Sequence, residues 1–270
     1  MTETPNTTDD ESTIRIPGEL RGQIRERMDG TDFDSVDAYV RFVLEAVVSG
    51  PDADPDERDE RAHESEIQER LEDLGYETIV FHATGTGGRA MESLVEEGVI
   101  DGVLDVTTTE WADELVGGVL NAGPDRLDAA GAEGIPQVVS VGAMDMVNFG
   151  ARDTVPEEFE GRSFHIHNPQ VTLMRTTPEE NAELGRILAR KLNQATGPTA
   201  VALPLAGVSM LDQEGEDFYD PEADERLFES LREHLDDGVD LLELSNNIND
   251  GAFAAAIVDK LDSYMGGSSG

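Results

Sequence analysis

From Glu77 onward, strand-like and helix-like segments alternate, and this order restricts the possible folds more than any other feature. TIVFH (Thr78 to His82) reads as a buried strand, and RAMESLVEEG as a helix ended by Gly98. VIDGVLDVTT carries a second strand, EWADELVGGVL a helix and IPQVVSVG a third strand. After an irregular stretch, PEEFEGRSFHIHNPQVTLMRTT, a long helix is expected from Pro178 to Ala195, with proline near its first turn. TAVALPL is then a strand, PEADERLFESLREHL a helix, VDLLEL a strand and GAFAAAIVDKLDSYM a final helix. Such alternation predicts an α/β fold, a doubly wound parallel sheet with flanking helices on both faces.

A smaller unit precedes this domain. Residues 1–12 are polar and acidic and are expected to be disordered. Residues 13–50 read as strand, helix and helix: TIRIP, then Leu20, Ile24 and Met28 on one stripe, then Val36, Val40, Val43 and Val47 on another. So short a unit cannot bury a core alone, which predicts that it dimerises or docks. Residues 51–66 form an acidic, proline-containing linker, residues 67–265 the α/β ligand-binding domain, and residues 266–270 a flexible tail.

Charge narrows the partners. The chain has 59 Asp and Glu against 19 Lys and Arg, a formal net charge of −40. That surface repels nucleic acid and anionic membranes except at a local basic patch. The even spread of acids favours adaptation to a salt-rich, halophilic cytoplasm, where screening relieves self-repulsion. With no cysteine, thiolate catalysis and cysteine-ligated metals are excluded. The N-terminal residues lack the pattern of a signal peptide, and no apolar run has the length of a membrane span, so a cytoplasmic location is expected.

In doubly wound sheets ligands bind at the carboxyl ends of the strands, which directs attention to the segments there. In HATGTGGRAM, Gly85, Gly87 and Gly88 permit close backbone approach, and the amides near them would face an anion at the helix N-terminus. Thr86 adds a hydroxyl and Arg89 a positive charge; the bland alternative is a flexible turn. In DVTTTE, the hydroxyls of Thr107, Thr108 and Thr109 beside Asp105 and Glu110 suit either a helix cap or a phosphate–metal or sugar ligand. Asp145 and Asn148 sit in a glycine-flanked loop that a buried polar turn would explain almost as well. His165 and His167 alternate in FHIHNP, where polar packing is favoured over a two-histidine metal face, and no metal site is assigned. His82 could serve as an acid or base but reads more readily as structural, and Trp111 as helix packing.

FHATGTGGRAME, GVLDVTTTEWADELVGGVLNAGPDRLDAAG, GIPQVVSVGAMDMVNFG, HNPQVTLMRTTPEE and ELSNNINDGAFA together resemble the Tm-like ATP-binding family, an uncharacterised family related to a tomato mosaic virus resistance protein. The resemblance runs from about Gly75 to Ala256. It implies an ATP- or nucleotide-binding domain, with magnesium as a companion ion, lined by Gly85 to Arg89, Thr107 to Glu110, Asp145 and Asn148. It also implies a further α/β half upstream, with a DTKG-type loop, which this sequence lacks; a separate protein supplying that half is therefore an expected partner. Where the family has INDP, this chain has Asn249, Asp250 and Gly251.

TIRIPGELRGQIRERM and DSVDAYVRFVLEAVV resemble a ribbon-helix-helix unit, which implies paired strands and, in the DNA-binding form, base contacts from Thr13 and Arg15. Five arginines against seven acids between Ser12 and Gly50 make a poor footprint for DNA, so dimerisation is favoured. The resulting expectation is a homo-oligomer binding a nucleotide or phosphate ligand. The alternatives are a ligand-responsive DNA-binding regulator, or an enzyme on a phosphorylated or carboxylated metabolite using Asp105, Glu110, Asp145 or His82.

Overall fold

A computed structural model describes residues 65–82 and 84–266. The ribbon-helix-helix-like unit, with Thr13 and Arg15, the linker up to residue 64 and the tail after Gly266 lie outside the described residues. Residues 65–73 are helical (α1). The elements that follow are α2 (Thr86–Glu96), β1 (Val103–Thr107), α3 (Glu110–Val116), α4 (Ala129–Glu133), β2 (Gln137–Gly142) and β3 (Met146–Phe149). Two short 3-10 turns lead to β4 (Phe164–Asn168), β5 (Val171–Arg175), α5 (Pro178–Leu192) and β6 (Thr199–Pro204). α6 (Pro221–His234), β7 (Asp240–Leu244) and α7 (Gly251–Met265) complete the domain.

β1, β2, β6 and β7 form a parallel four-stranded sheet in that order. The central strands β2 and β6 are buried along their whole length, as strands covered on both faces must be. Their side chains divide by the two-residue period of a strand. Val139, Val141, Val201 and Leu203 pack with Leu184 and Leu188 of α5 and Leu227 and Leu231 of α6. Val138, Ala200 and Ala202 face Phe253, Ile257 and Leu261 of α7, with Ile67 and Leu71 of α1 beside them. The expected α/β sheet, covered on both faces, is therefore present.

Local chemistry fixes the helix ends. Thr177 and Glu180 make a reciprocal capping box ahead of Pro178. The Asp220 side chain accepts from the Ala223 amide at the start of α6. α3 stops earlier than the apolar pattern suggests, because Gly117 adopts φ 97°, a left-handed conformation that ends a helix.

Two segments depart from expectation. TIVFH is not a strand: residues 76–82 make no sheet ladder with the described residues, and Ile79 and Val80 are 56% and 40% exposed. Its apolar composition alone cannot make a strand, which needs a neighbour's backbone to pair with. Conversely, part of the stretch expected to be irregular forms β4 and β5, which join β3 in a three-stranded antiparallel sheet of order β3-β5-β4. Asn168 Oδ1 accepts from the Gln170 amide at 2.9 Å, and this side-chain turn reverses the chain between the two strands. None of the described helices is long and apolar enough to cross a membrane.

Candidate functional site

α2 begins at Gly85, whose φ of 75° only glycine adopts readily, with the Leu120 and Asn121 carbonyls packed where a Cβ would stand. The Gly85 amide donates to Oε1 of Glu110 at 3.2 Å. The helix start expected to hold an anion thus holds one of the chain's own carboxylates. A Cβ on Gly88 would lie 2.6 Å from Nε of Arg126 and 3.1 Å from the same Glu110 oxygen. Packing within the chain therefore requires two of the three glycines. Gly87 is different: its Cβ would meet Phe81 at an ordinary 3.5 Å.

Arg126, 3% exposed, is the hub of this group. Its Nη1 and Nη2 donate to the two oxygens of Asp105 at 2.5 and 2.9 Å, a paired geometry that suits guanidinium and carboxylate. Glu110 Oε2 and Glu92 Oε1 stand 3.7 and 3.8 Å from it. Burial works against the Arg126 charge, but attraction by Asp105, Glu110 and Glu92 outweighs this and holds the guanidinium protonated. Burial raises Glu110 above the usual carboxylate range, Arg126 opposes that, and Asp105 adds to it. Glu110 Oε2 and Arg126 Nε have no hydrogen-bond partner among the described residues.

The threonines do not cap α3 with their side chains. Thr108 Oγ1 donates to the Ser140 carbonyl of β2 at 2.9 Å, and Thr109 Oγ1 to the Met146 carbonyl of β3 at 3.3 Å. Thr107 is exposed at the end of β1. Thr86 is half-buried, its amide donating to the Thr84 carbonyl, and Arg89 Nη1 donates to the Asn121 carbonyl at 3.1 Å. Asn148 lies beside Thr109 and is held by Asp113. Trp111 packs in the core as expected, with Lys191 Nζ 5.2 Å from its ring centre.

Asp145 belongs to a different group. It is fully buried, accepts from Ser209 Oγ at 2.7 Å, and lies by Arg175 and Asp212. Burial raises it to about 6, with Arg175 opposing and Asp212 adding. Two non-glycine residues with positive φ adjoin these groups: Leu127 (φ 73°) follows Arg126, and Ala143 (φ 54°) lies just before Asp145. Each such conformation costs on the order of 1–3 kcal/mol and persists only where its surroundings impose it.

The structure therefore joins Gly85, Gly88 and Glu110 in one group and Thr109 with Asn148 in another, while Asp145 stands with Ser209 and Arg175. Sequence reasoning missed Arg126, Asp113, Arg175, Asp212 and Asp224. The available signal was scarcity: a lone arginine in PDRLD, or one closing the apolar run VTLM, is conspicuous in a chain with so few basic residues. His165 Nδ1 lies 2.8 Å from Asp217 Oδ2. No cluster of three or more metal-ligating side chains occurs among the described residues.

The family model described as the C-terminal domain of the uncharacterised protein family UPF0261 matches residues 62–265. The chain belongs to this family. A UPF0261 protein of Clostridium tetani is 59% identical over 199 residues, which cover 73% of this chain and 49% of that protein. The ToMV resistance protein Tm-1(GCR237) of Solanum lycopersicum is 53% identical over 195 residues, 72% of this chain and 26% of that protein. A UPF0261 protein of Rhizobium meliloti is 52% identical over 194 residues, covering 71% and 48%. The chain spans about half the length of these bacterial UPF0261 relatives and about a quarter of the tomato protein. The region shared with UPF0261 thus contains the glycine turn, the Arg126 group and the Asp145 loop.

Proposed function

We propose that this domain binds a nucleotide or related phosphate-bearing ligand, with ATP and magnesium the first candidates, beside the carboxyl end of β1. The observation that carries this reading is the Gly85 amide holding the Glu110 carboxylate. The Glu110 carboxylate stands where an anion would, so a phosphate binds here by displacing it from the Gly85 amide. Gly87 would accept a Cβ in ordinary contact with Phe81, so internal packing does not account for a glycine in this turn. The strained Leu127 beside Arg126 fits a site whose geometry is imposed rather than relaxed. The resemblance to Tm-like ATP-binding sequences favours a nucleotide over bare phosphate.

The match to a C-terminal domain fits a pocket that a companion half helps to complete. In this reading the N-terminal unit dimerises the protein, and the net charge of −40 suits a salt-rich cytoplasm. Titration calorimetry at high salt with magnesium-ATP, ADP and inorganic phosphate tests the site. Wild type should bind at least one of them, and Gly87→Ala should weaken binding by about tenfold or more. No heat from any of the three, or equal affinity in both proteins, overturns the proposal.

A further inference from the structure

Beyond the proposed ligand site, four charged side chains from four parts of the chain converge on the end of β5. Arg175 closes that strand, Asp145 follows β2, Asp212 lies in the loop after β6, and Asp224 is in the first turn of α6. All are almost sealed from solvent: Asp145 is 0%, Asp212 1%, Arg175 5% and Asp224 7% exposed. Arg175 Nη2 donates to Asp224 Oδ1 at 2.5 Å and stands 3.8 Å from Asp212 Oδ1. Its Nη1 reaches the Asp145 carbonyl at 3.5 Å, and its Nε donates to the Phe218 carbonyl at 2.8 Å. The Ser209 hydroxyl donates to Asp145 Oδ2 and the Val208 amide to Asp212 Oδ2. Asp145 Oδ1 and Asp212 Oδ1 are left without a hydrogen-bond partner among the described residues.

Three ionised carboxylates around one guanidinium would leave two uncompensated negative charges in a sealed interior, an arrangement that costs several kcal/mol per ion in general. Asp212 and Asp224 approach the same nitrogen of Arg175, Nη2, at 3.8 and 2.5 Å, which brings the two carboxyl groups together. Ionised carboxylates only accept, so a hydrogen bond between two of them requires a proton on one. A proton shared by the two would supply a donor for Asp212 Oδ1, which has no partner among the described residues, and would remove one of the two excess charges.

We propose that the Asp212–Asp224 pair holds one proton at neutral pH and that this proton latches the loop of residues 205–212 onto α6, so that the loop loosens in alkaline medium.

The sign follows from the surroundings. Burial is the main cause pushing Asp224 above the usual carboxylate range; Arg175 opposes it and Asp212 adds to it. The charged groups facing the pair are Arg175 of β5 and Asp145 of the loop after β2. A folded state that holds its proton more tightly than the unfolded chain is fully stabilised in acid and loses that stabilisation as pH rises through the folded range. The loop is where the loss would show. The Leu211 and Asp212 amides donate to Ser209 Oγ at 3.1 and 3.2 Å, and Ser209 in turn donates to Asp145. Asn247 Nδ2 donates to the Ser209 carbonyl at 3.2 Å, tying the same loop to the segment before α7.

Hydrogen exchange at high salt, corrected for intrinsic rates, reads the latch directly. Between about pH 6 and about pH 9, protection of the Val208, Leu211 and Asp212 amides should fall by about tenfold or more in wild type. In Asp224→Asn it should stay level, because the asparagine amide carries a donor that rising pH does not remove, while its carbonyl keeps an acceptor for Arg175. Infrared spectroscopy should show a protonated-carboxyl band at neutral pH that is weaker in Asp224→Asn. Parallel exchange profiles in the two proteins, or identical carboxyl bands, overturn the proposal. Should Asp224→Asn fail to fold, Asp212→Asn takes its place with the same expected outcomes.

Discussion

Asn148 holds Asp113 twice: its backbone amide donates to Oδ1 at 2.6 Å and its side-chain amide to Oδ2 at 3.2 Å. The Leu120 amide adds a third donor at 2.9 Å, so one carboxylate with 0% exposure fastens α3, the loop after it and β3. Asp113→Ala would strand two backbone amides, each costing about 1–3 kcal/mol when buried and unpaired. The expected loss is about 3 kcal/mol in urea unfolding at fixed salt. Gly118→Ala should behave similarly, since its Cβ would fall 2.1 Å from Asp113 Oδ1 and push the carboxylate aside. A loss below about 1 kcal/mol in both variants would show that the three donors find other partners.

Gly87 and Gly88 are neighbours in α2 with opposite expectations. Gly88→Ala drives a methyl into Arg126 Nε, and Arg126 is pinned by Asp105 on its far side and cannot retreat freely. A destabilisation of about 1–3 kcal/mol is expected. Gly87→Ala meets only an ordinary contact with Phe81 and should raise stability by about 0.5–1 kcal/mol through the lower backbone entropy of alanine. Thermal melts of the two variants side by side decide this, and the reverse ranking would refute the packing around Arg126.

Removing Arg126 should be far costlier than removing its partner's charge. Arg126→Met leaves Asp105, Glu110 and Glu92 facing one another, and losing one member of a buried ion pair typically costs about 3–5 kcal/mol. Asp105→Asn still leaves Glu110 and Glu92 beside the guanidinium and should cost less. Chemical denaturation of both variants at one pH gives the ranking, and an equal or larger loss in Asp105→Asn contradicts it.

The same group carries a pH signature. Burial raises Glu92 to about 7, against the pull of Arg126 and the Leu127 amide. Its folded value lies above its unfolded one, so its stabilisation is full in acid and declines as pH rises through about 7. Glu92→Gln should remove that component, making unfolding free energy flatter between about pH 6 and about pH 8 than in wild type. Identical slopes would assign the pH dependence to other groups.

The parallel sheet was legible because buried parallel strands are written as apolar runs and their crossovers as amphipathic helices: QVVSVG and TAVALP leave little ambiguity. The β4–β5 hairpin was not, because FHIHN and VTLMR are short and the reversing signal is a single asparagine side chain. TIVFH failed in the opposite sense, since strand pairing is a property of two segments and only one was in view. Within the site, Gly85 and Glu110 have the chemistry to meet a ligand, yet in the folded chain they satisfy each other. No local pattern could have paired Arg126 with Asp105 or Arg175 with Asp224, because those contacts span 21 and 49 residues.

Salt should stabilise this protein, although it weakens the ion pairs on its surface. Exposed pairs such as Arg226–Glu229 and Arg186–Glu183 are worth about 0.2–1 kcal/mol each, and screening removes part of that. Against them stands a net charge of −40, with 59 acids and 19 basic residues. Most acids therefore have no cation to pair with, and their mutual repulsion acts over the Debye length, roughly 10 Å at 0.1 M and roughly 3 Å at 1 M salt. Raising KCl from about 0.1 M to about 2 M should shorten that reach below the spacing of most surface carboxylates and lift the thermal midpoint by several degrees. Most of the gain should come before about 1 M, where screening is nearly complete, and sodium chloride should serve as well as potassium chloride. A midpoint that falls with salt would mean that the surface pairs outweigh the repulsion, and one that responds only to potassium would point to a specific ion site rather than to screening.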